Sequence, residues 1–153
     1  MPKQFLLLFA LPFLLISCSN IVFEQVVNIE NGNWQYDQPA NFEFESPDSS
    51  SRYNLILLVD HSTDFAYQNT YVKINTKFPS GKENSQQLSL NLADKTGRWN
   101  GKCSGEKCSA AIALQMNTYF DEPGKYQVEV QQDSRANPLA GIERLSLLIE
   151  TVQ

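Results

Sequence analysis

The chain has 153 residues and a formal net charge of −5 at pH 7, with 17 acidic against 12 basic side chains. This length fits one ordinary domain that can bury a core of its own. The acidic balance gives no electrostatic attraction to a phosphate backbone, so nucleic acid is excluded as an expected partner.

The N-terminus has the pattern of a bacterial lipoprotein signal. Lys3 precedes an apolar run over residues 5–16, and the run closes with Leu-Ile-Ser-Cys18, which resembles a lipobox. The run is shorter than the ~20 apolar residues that span a bilayer. We therefore expect Cys18 to be the lipid attachment residue, with this division of the chain: 1–17 as lipoprotein signal peptide, 18–22 as lipidated tether and 23–153 as a single domain.

The lipid also sets the expected location. Two or more acyl chains anchor a protein stably, and no second stretch of about 18 apolar residues follows Cys18. Ser19 stands where an aspartate often signals inner-membrane retention. We expect an outer-membrane lipoprotein of the cell envelope. The leaflet stays open, with the periplasmic face favoured.

Beyond the tether, apolar and polar residues alternate with a period of two, which predicts β-strands. The alternating segments, in chain order, are 42–45, 72–78, 88–93 and 126–131. Two further segments, 53–59 and 145–149, are apolar on both faces and are typical of central strands. Turn residues separate the segments, and one helical turn is predicted at 137–141. The pattern predicts an all-β, antiparallel β-sandwich of jelly-roll or immunoglobulin-like type with about eight strands.

Two cysteines remain once Cys18 is assigned to lipid. Cys103 and Cys108 flank four residues that include a glycine. Outside the cytoplasm such a pair is expected to form a disulfide. In so short a loop the disulfide stabilises a turn more than it stabilises the whole fold. A metal site is the alternative, but it needs further ligands, and His61 is the only histidine. We expect no metal and no cofactor.

The sequence gives little support for catalysis. The segment Asp60–Ser62 places an acid, a histidine and a serine side by side, yet a hydrolase also needs an oxyanion hole and an activated nucleophile. A glycosidase pair at residues 121 and 122 would sit in a Pro-Gly turn. Calcium is not expected, because no Asp-x-Asp-x-Asp-Gly pattern joins the loop aspartates Asp60, Asp64 and Asp94. We therefore expect that the protein is not an enzyme.

Aromatic residues near the turns are the candidate interaction residues. Protein interfaces favour Tyr and Trp, sugar-binding sandwiches use such rings as stacking platforms, and Trp99 between glycines could also plug the end of a sandwich. All three interpretations stay open for this set: Trp34, Tyr36, Tyr67, Tyr71 and Trp99.

An ordered set of short motifs carries a family resemblance. It comprises Ile-Val-Phe-Glu at 21–24, Tyr-Asn-Leu at 53–55, Tyr-x-Asn-x-Tyr at 67–71, Phe-Pro-Ser-Gly-Lys at 78–82, Leu-Ala-Asp-Lys-Thr-Gly-Arg-Trp-Asn-Gly-Lys at 92–102, the Pro-Gly turn within 120–126 and Leu-Ala-Gly-Ile at 139–142. With the lipobox, the set resembles the gliding motility lipoprotein GldH family of Bacteroidetes over essentially the whole chain after Cys18. The cysteine pair and Ser134 before Arg135 depart from the family pattern.

The resemblance implies a lipid-anchored, non-enzymatic component of the gliding motility apparatus, which is associated with type IX secretion. Its expected partners are the membrane, through the lipid, and envelope proteins of that machinery. The competing hypothesis is a carbohydrate-binding outer-membrane lipoprotein. Aromatic rings along a shallow exposed groove would favour sugar binding, whereas buried rings or a flat patch would favour a protein partner.

Overall fold

The computed structural model describes residues 20–152, which form eleven β-strands and one 3₁₀ turn at Glu30–Gly32. The strands are β1 (Ile21–Asn28), β2 (Asn33–Trp34), β3 (Ala40–Glu45), β4 (Tyr53–Ser62), β5 (Asn69–Lys77), β6 (Glu83–Asn91), β7 (Lys102–Ser104), β8 (Lys107–Thr118), β9 (Lys125–Gln132), β10 (Leu139–Ala140) and β11 (Ile142–Thr151).

The all-β prediction is confirmed, and the count differs for a simple reason. Eight strands have six or more residues, while β2, β7 and β10 have only two or three and leave no alternation to detect in the sequence. The predicted helical turn at 137–141 is wrong, because Leu139 and Ala140 pair with Trp34 and Asn33 in a small separate ladder.

The long strands form an antiparallel jelly roll. One sheet has the order β1-β11-β4-β8-β7 and the other β3-β9-β5-β6. Counted among the eight long strands alone, these orders are 1-8-3-6 and 2-7-4-5, the arrangement of two Greek keys in a jelly roll. The immunoglobulin-like alternative does not fit, since that fold pairs its first strand with its second, whereas β1 pairs with β11.

The core lies between the two sheets and follows from the alternation. On β3 the residues Ala40, Phe42 and Phe44 are buried while their neighbours are exposed. The central strands β4 and β11 contribute fully buried leucines, Leu57 and Leu147 among them. Burial of such side chains from water contributes about 1.5–3 kcal/mol each, which makes the interior of the sandwich the main source of stability.

The sandwich is closed along one side. Gln25 of the edge strand β1 reaches across to the edge of β3, where its amide donates to the carbonyl oxygen of Asn41 (3.3 Å) and its Oε1 accepts from the backbone N–H of Glu43 (2.9 Å). One side chain thereby satisfies two backbone groups of an edge strand, which otherwise lack partners in the sheet.

The opposite side, between β6 and β8, stays open. Asn84 and Gln86 occupy the inward positions of β6, where its later residues Leu88 and Leu90 pack inward. A cleft of about 620 Å³ enters the sandwich there, with apolar side chains such as Leu114 and Val128 in its wall.

The first strand begins very close to the predicted lipid attachment. β1 starts at Ile21, inside the predicted tether 18–22, so only residues 19 and 20 separate it from Cys18 in sequence. Pairing with β11 extends to Asn20, because Thr151 donates from its backbone N–H (2.9 Å) and its hydroxyl (3.0 Å) to the Asn20 carbonyl. Cys18 and the predicted signal peptide 1–17 lie outside the described residues.

Among residues 20–152, no helix has the length and apolar character needed to cross a membrane.

Candidate interaction surface

The middle of the outer face of the five-stranded sheet carries a group of apolar side chains. Because side chains alternate across a strand, the residues between the buried ones on β4 and β11 point outward, and in the middle of these strands the outward apolar residues are Ile56, Leu58 and Leu148. The register aligns Val26, Ser146, Leu58 and Ala111 in one row across four strands. We call the following set the apolar face: Val26, Ile56, Leu58, Ala111, Ala113 and Leu148.

Ion pairs border the apolar face at the end of the sheet opposite Ile21. The guanidinium of Arg144 donates to the Asp60 carboxylate, with Nε at 2.6 Å from Oδ2, and Lys107 pairs with Glu143 at 2.6 Å. An apolar centre with a polar border is the anatomy of a protein–protein interface. Two exposed alanines, Ala111 and Ala113 on β8, leave room for close approach of a partner at one side of the face, so this surface is chemically suited to docking another protein.

The outer face of the four-stranded sheet is polar instead. A depression of about 700 Å³ lies there, lined largely by amide and carboxylate side chains. Asn75 donates to Glu129 (2.8 Å), and Gln127 donates to Glu43 (3.0 Å). These amides and carboxylates therefore bind one another across the strands.

Charge pairing on this polar face shifts two pKa values. The hydrogen bond from Gln127 and the ion pair with Lys125 (2.7 Å) lower the pKa of Glu43, and the same ion pair raises the pKa of Lys125. Both groups are solvent-exposed, so the pair orients side chains more than it stabilises the fold.

Two of the predicted interaction aromatics belong to the interior. Trp34 is 0 % exposed, and its indole N–H donates to the carbonyl oxygen of Gln38 at 2.9 Å. The prediction of Trp34 as an interaction residue is therefore wrong: the pairing of β2 with β10 draws its ring into the core. Trp99 is half-buried and packs edge-on against His61, with ring centroids 4.6 Å apart, which matches the plug interpretation.

The three tyrosines are exposed but separate. The Tyr36 hydroxyl donates to the carbonyl oxygen of Ser134, the Tyr67 ring lies edge-on to Phe65 at 5.6 Å, and Tyr71 projects from the outer face of β5. Within residues 20–152 no ring contact joins these tyrosines to one another. They do not form a shared stacking platform along a groove.

The structure keeps the possible catalytic groups apart. Asp60 and His61 are consecutive on β4 and so point to opposite faces. Asp60 binds Arg144 on the outer face, whereas His61 is fully buried, with Nδ1 at 2.9 Å from the Ser62 carbonyl oxygen. The hydroxyl of Ser62 accepts from the backbone N–H of Asp64 at 3.1 Å. No acid–histidine–serine relay is assembled by these residues.

The remaining acidic candidates accept hydrogen bonds within turns. Asp94 accepts from the hydroxyl (2.6 Å) and backbone N–H (2.8 Å) of Thr96 and from Arg98, which lowers the pKa of its carboxyl to about 2. Hydrogen bonds from the Ser80 side chain and from the Ser80 backbone N–H (3.0 Å) lower the pKa of Glu122. In the part of the chain that the structure describes, no three His, Cys, Asp or Glu side chains converge as a metal site.

The predicted cysteine pair lies at bonding distance. Cys103 and Cys108 face each other across the β7–β8 hairpin, with their sulfur atoms 1.93 Å apart. Gly105, with φ of +60°, supplies the turn between them. The bond closes a surface hairpin at the edge of the sheet that carries the apolar face.

Sequence reasoning did not assign the apolar face, although a signal for it was present. Segments 53–59 and 145–149 were predicted as central strands because both of their faces are apolar. That placement is confirmed. In a two-layer sandwich the outward residues of central strands face solvent or a partner. To assign the apolar face from sequence, one would have had to know that no further layer of the described chain covers these residues.

Comparisons with known proteins identify relatives in sequence. The model of the family described as GldH lipoprotein matches residues 21–149. A gliding motility lipoprotein GldH homolog of Christiangramia forsetii is 34% identical over 113 residues, covering 73% of this chain and 70% of that protein. The gliding motility lipoprotein GldH of Flavobacterium johnsoniae is 25% identical over 134 residues, covering 86% and 82%.

Among solved structures, a fructofuranosidase from Schwanniomyces occidentalis is 9% identical with a TM-score of 0.40, covering 87% of this chain and 34% of that enzyme. This likeness is too weak to bear on function. The match to the family model spans most of the chain, and the relative from C. forsetii exceeds 30% identity over more than two thirds of it. The chain belongs to the GldH lipoprotein family.

Proposed function

We propose that this chain is a lipid-anchored, non-enzymatic component of the gliding motility machinery, associated with type IX secretion, that binds an envelope protein through its apolar face. The relatives from C. forsetii and F. johnsoniae bear the name gliding motility lipoprotein. That name supports the process and a location in the cell envelope. The proposed mode of action, binding of an envelope protein, rests on the surface of the domain.

The observation that carries the proposal is the apolar face itself. It combines aliphatic side chains from four adjacent strands, and its edge strand β1 begins three positions after Cys18. A protein held so near the membrane presents this face to other membrane-bound proteins at high effective concentration. Binding there removes apolar area from water, the main favourable term in protein association.

The anchor is proposed to be the lipid on Cys18, exposed as the new N-terminus when residues 1–17 are removed. Ser19 favours the outer membrane, and we propose the periplasmic leaflet. Replacement of Cys18 by Ala is expected to leave the domain folded and to release it from membranes. A Cys18→Ala chain that still sediments with salt-washed membranes would contradict the anchor.

The interaction is tested by capture from cells. Lipidated protein is cross-linked in intact cells of a gliding relative, solubilised in mild detergent and purified, and bound proteins are identified by mass spectrometry. We expect proteins of the gliding or type IX secretion machinery, with the amount reduced in the Cys18→Ala chain. Recovery of none of these proteins would count against the proposed function.

A second candidate function rests on the polar depression of about 700 Å³. Its amides and carboxylates, including Asn75 and Glu129, are the groups that bind sugar hydroxyls. Against this, the three exposed tyrosines do not form a platform beside it. A glycan array probed with the domain decides this point: clear binding, lost in Asn75→Ala, would favour the carbohydrate-binding lipoprotein.

A further inference from the structure

We propose that the domain rests on the lipid bilayer through one end of its five-stranded sheet, the end from which the chain leads to Cys18. This inference rests on the lipid anchor proposed above and goes beyond it, since it states which folded residues touch lipid. We call this part the anchor-proximal end and define it by Ile21, Val22, Arg52, Met116, Tyr119 and Val152.

Backbone pairing makes the anchor-proximal end one continuous strip. The backbone N–H of Thr151 donates to the Asn20 carbonyl, and that of Val152 donates to the Arg52 carbonyl, both at 2.9 Å. β4 pairs in turn with β8 as far as Thr118. The ends of four neighbouring strands, β1, β11, β4 and β8, therefore lie side by side.

This strip holds much of the exposed apolar surface. Of the nine exposed large hydrophobic side chains among the described residues, five belong to the anchor-proximal end, and Val22 (51 %) and Met116 (57 %) are among the most exposed. Isolated exposed apolar residues are ordinary on protein surfaces, but a cluster of them marks an interaction site.

An aromatic ring and a cation complete the strip. The guanidinium carbon of Arg52 lies 4.5 Å from the centroid of the Tyr119 ring, and the same guanidinium donates to the Asn117 carbonyl at 3.4 Å. Tyr and Arg both have an apolar body and a polar tip, which suits them to the boundary between acyl chains and headgroups. Aliphatic side chains flanked by such residues fit a lipid surface.

The position of Cys18 identifies lipid as the occupant. Two residues separate Cys18 from Ile21 in sequence, and three residue steps span at most roughly 10 Å. A lipid on Cys18 thus holds the anchor-proximal end within about one headgroup thickness of the acyl chains. The carboxylates of Asp48 and Glu150 lie at the same end and offset the charge of Arg52, so anionic headgroups are not attracted to it. The contact is apolar and is expected on zwitterionic lipid and at high salt.

Tryptophan fluorescence in vesicles tests the inference. The lipidated full-length chain is reconstituted into phosphatidylcholine vesicles with plain or brominated acyl chains, because bromine quenches nearby indoles. Val22→Trp probes the anchor-proximal end, and Tyr67→Trp is the matched control, since Tyr67 is similarly exposed (48 %) and follows the opposite end of β4. Tyr119→Trp is a second probe that keeps a ring beneath Arg52. The unsubstituted protein gives the background from its two native tryptophans.

We expect the emission added by Trp at position 22 to fall roughly twofold in brominated vesicles, since interfacial residues reach about 5–10 Å into the headgroup boundary. The emission added at position 67 should not change, and 0.5 M salt should make no difference. A chain that floats with vesicles but shows equal quenching at positions 22 and 67, and none at 119, overturns this inference alone. A chain that fails to float overturns the lipid anchor and this inference together.

Discussion

Gly101 gives the sharpest test of the packing that supports the fold. Its φ is +83°, and a Cβ placed on it would lie 2.0 Å from the carbonyl oxygen of Ser109. Gly81 has almost the same φ, +84°, but a Cβ there meets no atom within 4 Å. Replacing each by alanine thus imposes the same left-handed backbone cost of about 1–2 kcal/mol, and only Gly101→Ala adds a steric clash with the β8 backbone.

The clash sets the expected difference between the two variants. Relieving it requires a backbone shift where β7 begins, and overpacking of this kind costs about 1–3 kcal/mol. At about 3–5 °C per kcal/mol for a domain of this size, Gly101→Ala should melt about 3–15 °C below Gly81→Ala. Differential scanning calorimetry of both variants measures this gap. Equal melting temperatures would refute the close approach of residue 101 to β8.

Three further results are expected. Gln25→Ala removes two hydrogen bonds that close the sandwich edge, so urea denaturation should show a loss of about 1–2 kcal/mol; an unchanged midpoint would contradict that bridge. The Asp94 carboxyl should titrate by NMR near pH 2 instead of 3.8. Its stabilising contribution is then present above pH 3.8 and lost as the pH falls towards 2, and Asp94→Asn should lack this acid dependence; a titration near 3.8 would argue against the turn hydrogen bonds. Replacing Cys103 by Ser together with Cys108 by Ala should cost only about 2 kcal/mol, so an unfolded double variant would assign the disulfide a larger role.

The strands that can be predicted from the alternation of apolar and polar residues are those with one face exposed to solvent. Phe42 and Phe44 on β3 and Val128 and Val130 on β9 alternate with polar residues, and all four are buried. β8 escaped prediction because its segment from Ala110 to Leu114 is apolar throughout and rich in alanine, a residue depleted in strands. Its place beside β4 follows from tertiary pairing.

The candidate surface was harder to predict than the fold. Aromatic residues near turns drew attention to Trp34, but whether such a ring faces solvent depends on the long-range pairing of β2 with β10. The apolar face consists of Leu58, Ala111 and similar residues from four strands distant in sequence. Only the register brings them together, and a single sequence does not specify a register between distant strands.

The central claim is that an envelope protein binds the apolar face, and a pair of matched substitutions tests it directly. Ala111 lies exposed at the β8 side of the apolar face, and Ser85 lies exposed on the outer face of the other sheet. Ala111→Arg and Ser85→Arg each add a long cation to a small, outward side chain, and lipidated forms of both are compared by in-cell cross-linking and quantitative mass spectrometry. The account predicts at least tenfold less cross-linked motility or secretion protein for Ala111→Arg, equivalent to about 1.4 kcal/mol of lost binding, and an unchanged amount for Ser85→Arg. Equal capture by the two variants, or loss only with Ser85→Arg, would contradict it.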